Sequence, residues 1–240
     1  MTKNILKTAL VVLSAGSVMT GCDFEQPEAP CFVQDATNWI VKYDRIDEPR
    51  DTNGAACTVV APKAELLGVY KFTDPDNRAN SKIALRPQGL ASRGLADTTN
   101  DQAEQTAMGS FASEKDAEEF CSGTNFERAF VQTTGATATN ISYQFENVRV
   151  YSAPSAPGTQ LKGELTYTRD GCTSKYVVSA MWPAVGCIIG STDAADNCGA
   201  GSGLNPDFAA TCLDGIVCVT GGTACCVPEK AIPSFRETEE

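Results

Sequence analysis

Ten cysteines follow Cys22, and their even number is the tightest constraint on how this chain can fold. They are Cys31, Cys57, Cys121, Cys172, Cys187, Cys198, Cys212, Cys218, Cys225 and Cys226. An even set of this size in an exported chain reads as a disulfide framework, which persists in an oxidising compartment. The possible pairings number on the order of a thousand, so spacing leaves the connectivity open. Parity goes one step further: three of the ten lie before residue 130 and seven after residue 170. If all pair within the chain, at least one bridge joins the two groups, and the C-terminal part is expected to be stapled to the body. Cys225 and Cys226 are adjacent; a bridge between neighbours strains the backbone, so each is expected to pair elsewhere. Zinc is the competing use of cysteine. The intervals between the last six, with 10, 13, 5, 6 and 0 residues intervening, lack the paired Cys-x₂₋₄-Cys knuckles of such sites. No Cys-x-x-Cys is present, which argues against a dithiol oxidoreductase.

The compartment is read from the other end of the chain. Lys3 and Lys7 precede an apolar stretch from Ala9 to Val18, and Met19-Thr20-Gly21-Cys22 follows. The stretch is shorter than the roughly 20 apolar residues a spanning helix needs, and the order of regions is that of a cleaved secretory signal. The cysteine after Gly21 resembles the lipobox of bacterial lipoproteins. That resemblance implies lipid on the Cys22 sulfur, cleavage before Cys22 and localisation at a membrane of the cell envelope. The expected organisation is a signal over 1–21, a Pro-containing acidic tether over 22–30 and a mainly β domain over 31–186. A Cys-rich subdomain over 187–227 and an acidic tail over 228–240 complete it. Asp23 directly after the lipid site retains some lipoproteins in the inner membrane; inner and outer membrane both stay open.

Composition excludes several classes of function. The net charge is −11, and removing Lys3 and Lys7 with the signal makes the chain more acidic still, which disfavours nucleic acid as a partner. There is no histidine. That removes His-containing triads, imidazole metal ligands and histidine pH switches together. No cofactor motif is present, and the chain is expected not to be an enzyme.

Alternation marks the strands. Trp39, Val41 and Tyr43 share one face, as do Val69, Lys71 and Thr73 against Tyr70 and Phe72, and Ile83 with Leu85 before Pro87. Ile141, Tyr143 and Phe145 alternate, and the phase then slips to Val148 and Val150, predicting a bulge near Glu146-Asn147. Leu161, Leu165 and Tyr167 follow, then the turn Arg169-Asp170-Gly171, then Tyr176, Val178, Ala180 and Trp182. Ser113-Glu114-Lys115-Asp116 matches a capping box and predicts a short helix through Phe120. Ala91 to Gln105 reads as a polar surface loop, and Pro228 to Glu240 as a frayed end. The fold class is therefore mainly β: an antiparallel sandwich or partly closed barrel with one short helix and a disulfide-rich C-terminal subdomain.

Each candidate site has a plainer structural use. Gly199-Ala200-Gly201-Ser202-Gly203 lacks the Lys-Ser/Thr of a phosphate loop and reads as a flexible loop between cysteines. Asp74, Asp76 and Asn77, and Asp193, Asp196 and Asn197, could hold calcium, but neither set ends in a bidentate Glu and both suit turns. Glu118 and Glu119 are expected to be solvated. Trp39, Trp182, Tyr143 and Tyr176 could line a glycan or peptide groove; their alternation makes them core residues first. The stretches Gly21-Cys22-Asp23-Phe24-Glu25-Gln26-Pro27, Asn147-Val148-Arg149-Val150-Tyr151-Ser152, Gly163-Glu164-Leu165, Gly171-Cys172-Thr173-Ser174 and 198–206 resemble the MlpA-type lipoproteins of deltaproteobacteria. The resemblance implies a lipid-anchored envelope protein with Cys22 as its lipid site, and brings no catalytic residue. The expected role is structural or interactive, with the membrane as partner through Cys22 and an envelope protein or glycan beyond it. The alternative is a binding module for a glycan, peptide or divalent cation.

Overall fold

A computed structural model describes residues 30–58, 61–77, 80–98, 101–218 and 222–237; the signal, Cys22 and the tether to residue 29 lie outside the described residues. Nine strands make one antiparallel sheet: β1 (Ala36–Arg45), β2 (Ala64–Phe72), β3 (Lys82–Pro87), β4 (Ala107–Phe111), β5 (Phe120–Thr124), β6 (Ala129–Thr133), β7 (Thr139–Tyr151), β8 (Gln160–Arg169) and β9 (Cys172–Met181). The order is β5-β4-β3-β2-β1-β9-β8-β7-β6, and an added β5–β7 pairing closes eight strands into a ring. β5 and β6 share one edge of the long β7: β5 pairs along Val148–Tyr151 and β6 along Thr139–Tyr143. Closure removes the edges of the eight ring strands, and β6, outside the ring, has an isolated bridge from Asp97 to Thr133 on its other side.

Inward positions follow the period of two. Trp39, Val41 and Tyr43 on β1, Leu67 and Val69 on β2, Ile83 and Leu85 on β3, and Leu161, Leu165 and Tyr167 on β8 fill the barrel. Each fully buried aliphatic or aromatic side chain contributes about 1.5–3 kcal/mol. On β7 the inward set runs Ile141, Tyr143, Phe145 and resumes at Val148, Val150. The register against β8 shifts between Glu146 and Arg149, and Asn147 takes a φ of 51°. The expected bulge is therefore present, with an Asn at the left-handed position it tolerates better than most residues. Asp170 and Gly171 link β8 to β9 with φ of 51° and 84°, the conformation of a two-residue hairpin turn.

Three expectations about local structure are corrected. The stretch Ser113–Phe120 is not helical. Asp116 Oδ1 accepts the backbone N–H groups of Glu118 and Phe120, Glu119 adopts φ 66°, and Phe120 starts β5 opposite Tyr151. A short carboxylate side chain competes for the amides a helix would use, and the cross-strand partner of Phe120 decides the outcome. The short helix is instead α1 (Gln88–Ala91), inserted between β3 and two 3₁₀ turns at Gly94–Ala96 and Gln102–Gln105. Within that supposed surface loop, Asp97 and Gln105 are buried. Gln105 bonds Asp97 and Arg86, and Asp97 accepts the Gln132 N–H of β6, so the segment forms wall beside β6. Nor is the C-terminal end frayed as far as Glu237. Ile232 and Ser234 are buried, and Phe235 stacks edge-on against Tyr151 and Phe208.

The cysteines pair as Cys31–Cys121, Cys57–Cys172, Cys187–Cys212, Cys198–Cys226 and Cys218–Cys225. The bridge that parity requires is Cys57–Cys172, and it joins β9 to the β1–β2 connection inside the barrel domain. The C-terminal subdomain is thus not stapled by disulfide to the body: its three bridges are internal. It is held by packing. The hairpin of β10 (Ala210–Asp214) and β11 (Ala224–Pro228) belongs to a second core with Ile40, Ala64 and Met181, residues out of phase with those that face the barrel interior. This explains the unbroken apolar run Trp39-Ile40-Val41: both faces of β1 are buried there.

Candidate functional site

One barrel end is built from the end of β1, the starts of β2, β7 and β9, and the end of β8. It carries four tyrosines in mutual contact. Tyr143 lies 5.1 Å from Tyr167 and 6.4 Å from Tyr43, and Tyr176 lies 6.4 Å from both Tyr43 and Tyr167, centroid to centroid. Against them sits Glu65, at an inward β2 position in phase with Leu67 and Val69, and 7% exposed. Glu65 Oε1 accepts from the hydroxyls of Tyr43 at 3.0 Å and Tyr143 at 2.8 Å, and Oε2 accepts from the Gly89 N–H. The N–H comes from α1, whose approach needs a residue without a side chain. A Cβ at Gly89 would lie 2.7 Å from the Tyr143 hydroxyl and 3.0 Å from Glu65 Oε2.

Burial raises the Glu65 carboxyl above its ordinary value, and the hydrogen bonds from Gly89, Tyr143 and Tyr43 and the charge of Arg93 only partly offset this. Burial and the neighbouring carboxylate push the Tyr43 and Tyr143 hydroxyls up in turn. Tyr167, raised chiefly by burial, goes up to about 12. All three phenols thus stay protonated at physiological pH, and Tyr43 and Tyr143 donate to Glu65. A cavity of about 370 Å³ opens here between Glu65, Arg93, Tyr143, Tyr167 and Arg169. Arg93 gives one N–H to the Gly89 carbonyl at 2.7 Å, and Arg169 lies 3.5 Å from Asp170.

Of the residues singled out by sequence, Tyr143 alone lines the cavity, and Tyr176 belongs to the tyrosine cluster behind it. Trp39 is wholly buried, its indole N–H on the Gln34 carbonyl. Trp182 is half-buried, with its N–H on Asn38. Tyr176 is a core residue whose hydroxyl accepts from the Ala61 N–H. Asp74 accepts the backbone N–H groups of Asp76 and Asn77, and Asp193 that of Ala195, so both acidic clusters are used as turns. Glu118 and Glu119 pair with Arg149 and Lys115. The glycine-rich stretch 199–203 is a turn region between bridged cysteines. Cys187, Cys198 and Cys212 bring three sulfurs within 4.8 Å of one another, but each is in a disulfide. Sequence reasoning missed Glu65, Gly89, Arg93, Tyr167 as a site residue, and Arg169. The available signal was Glu65 itself, a carboxylate in phase with two apolar inward residues.

The MlpA family model matches residues 37–183, from the start of β1 to just past β9. A Myxococcus xanthus protein provisionally named lipoprotein MlpA is 53% identical over 239 residues, covering 98% of this chain and 100% of that relative. The chain belongs to the MlpA family. No solved structure matches it. The family match ends just before Cys187, so the matched unit is the barrel, including every residue of the cavity described above. No helix among the described residues is long and apolar enough to cross a membrane.

Proposed function

We propose that this chain is an exported lipoprotein, cleaved before Cys22 and held by lipid on Cys22 at a membrane of the cell envelope. There its barrel serves a structural or interaction role without catalysis. The observation that carries the reading is the use of cysteine. Five bridges take ten of the eleven cysteines, and the eleventh is Cys22, at the end of the signal-like segment. The relative's name as a lipoprotein supports it, and so does a bridge set of the kind that persists in oxidising compartments. Two or three acyl chains, each buried CH₂ worth about 0.8 kcal/mol, would make the attachment stable where a single chain would be marginal. The absence of histidine, and a buried carboxylate engaged on both oxygens, suit holding rather than proton transfer. The test is the mass of the protein extracted from envelope membranes. Residues 22–240 plus acyl groups are expected, and Cys22→Ser should leave the uncleaved precursor; palmitate labelling unchanged in that variant would sink the reading.

A second reading, a binding module anchored at the envelope, is favoured by the barrel-end cavity. Its volume falls within the roughly 300–1,000 Å³ of small-molecule sites, and it combines aromatic walls with a few convergent polar groups.

A further inference from the structure

The carboxylates at this barrel end are engaged within the fold, and its guanidinium groups keep N–H donors open. Glu65 meets three donors from within the fold, on both oxygens. Asp170, the carboxylate beside Arg169, accepts the Asn140 N–H and the Thr139 hydroxyl. Of the four tyrosines, Tyr43 and Tyr143 bond Glu65 and Tyr176 bonds Ala61. Tyr167 is 2% exposed and lines the cavity, yet its hydroxyl makes no hydrogen bond among the described residues. The residue lines the cavity, so that hydroxyl is placed to meet a bound molecule. Among the described residues, Arg93 uses one of its five N–H groups on Gly89, and the Arg169 side chain has its 3.5 Å approach to Asp170.

We propose that this cavity binds a small organic oxyanion, its charged head between Arg93 and Arg169, oriented by the Tyr167 hydroxyl. Pro62, Ile141 and the Tyr143 ring offer apolar contact to its body. Guanidinium groups match carboxylate and phosphate oxygens in geometry and charge. Glu65 does not compete for the head, because its oxygens are turned to Tyr43, Tyr143 and Gly89. It acts instead as a positioning residue: by holding Tyr143 and α1 it fixes the wall that carries Arg93.

The proposal rests on the binding-module reading and is independent of the lipid anchor. It is tested by titration calorimetry on the mature, lipidated chain in detergent at constant ionic strength. The probes are benzoate, inorganic phosphate and benzylammonium. Saturable one-to-one binding of benzoate or phosphate is expected, and which of the two binds identifies the head group. Arg169→Gln should weaken it about tenfold, the effect of a lost charge-assisted hydrogen bond. Tyr167→Phe should weaken it severalfold while leaving the melting temperature unchanged, because that hydroxyl has no partner in the fold. Benzylammonium binding in place of the anions, sensitive to Tyr167→Phe, would overturn the oxyanion but keep the binding module. No binding of any probe would overturn both, as would anion binding indifferent to both substitutions.

Discussion

Glu65 shows how far one residue can depart from the pattern around it. Its strand position calls for an apolar side chain, and its oxygens are matched by two hydroxyls and one backbone N–H. Satisfaction on this scale makes a buried carboxylate tolerable, but burial still disfavours its charge, so its carboxyl stays raised above the ordinary 4.5. Between that ordinary value and the raised one, the folded protein holds a proton that the unfolded chain has released. Stability contributed here is therefore full below pH 4.5, falls as pH rises through the raised value, and is level above it. Asp47 acts in the opposite sense. Bonds from the Lys175 N–H and the Ser174 hydroxyl lower its carboxyl, so its contribution is lost as pH falls below the ordinary value of 3.8. The two windows are separate. Urea midpoints are expected to decline from pH 4.5 toward neutrality in the parent protein, and Glu65→Gln should flatten that decline, since an amide can still accept from both tyrosines but does not titrate. An unchanged slope in the variant would place the responsible group elsewhere.

At the scale of elements, the bulge in β7 lets one strand serve two neighbours along one edge. The extra residue re-phases the strand so that Val148 and Val150 face inward while pairing passes from β6 to β5. Asn147 carries the left-handed turn at φ 51°. Asn147→Val should destabilise by roughly 1–2 kcal/mol, the cost of that conformation for a residue with a branched Cβ, and Asn147→Gly should fall within about 0.5 kcal/mol of the parent in urea unfolding. Equal stability of the two would mean the bulge relaxes. This bulge was legible in the sequence because the apolar phase of β7 visibly slips; β1, β3, β8 and β9 were legible for the same reason of period. β4, β5 and β6 were not. Ala107-Met108-Gly109-Ser110-Phe111 and Phe120-Cys121-Ser122-Gly123-Thr124 hold too few apolar residues for a period to register, and they are strands because β3 and β7 offer them edges. The cavity was less legible still. Its groups come from β2 and the residue before it, α1 and the turn after it, β7 and β8, and no local spacing brings Glu65, Arg93 and Tyr167 together. Of its residues only Tyr143 stood out, and its alternation pointed to core.

At the scale of the whole molecule, the described residues form two cores with no disulfide between them. Cys31–Cys121 and Cys57–Cys172 close loops with sequence separations of 90 and 115 within the barrel domain, and the three late bridges close short loops within the subdomain. Parity was right that a bridge must span the two cysteine groups, but it could not assign Cys172 to the barrel; the start of β9 next to the β1–β2 connection does that. What couples the parts is the outer face of β1 and β9, the Cys226 N–H on the Val185 carbonyl, and the C-terminal segment. In that segment Ser234 exchanges hydrogen bonds with the wholly buried Gln160 of β8: the Ser234 N–H donates to Oε1 and the amide donates back to the Ser234 carbonyl. Phe235 then packs edge-on between Tyr151 of β7 and Phe208 of the subdomain, 5.8 Å from each. Phe235→Ala removes this wedge without touching either disulfide set or the barrel interior. Amide exchange should accelerate in β10 and β11 and leave β7 to β9 protected, because a segment opens locally when the packing that holds it is weakened. The bridges limit how far the loosened subdomain can unravel, so melting of the barrel should stay cooperative. Equal acceleration in β8 and β9 would instead show that the two cores unfold as one unit, and that packing alone couples them as firmly as a bridge would.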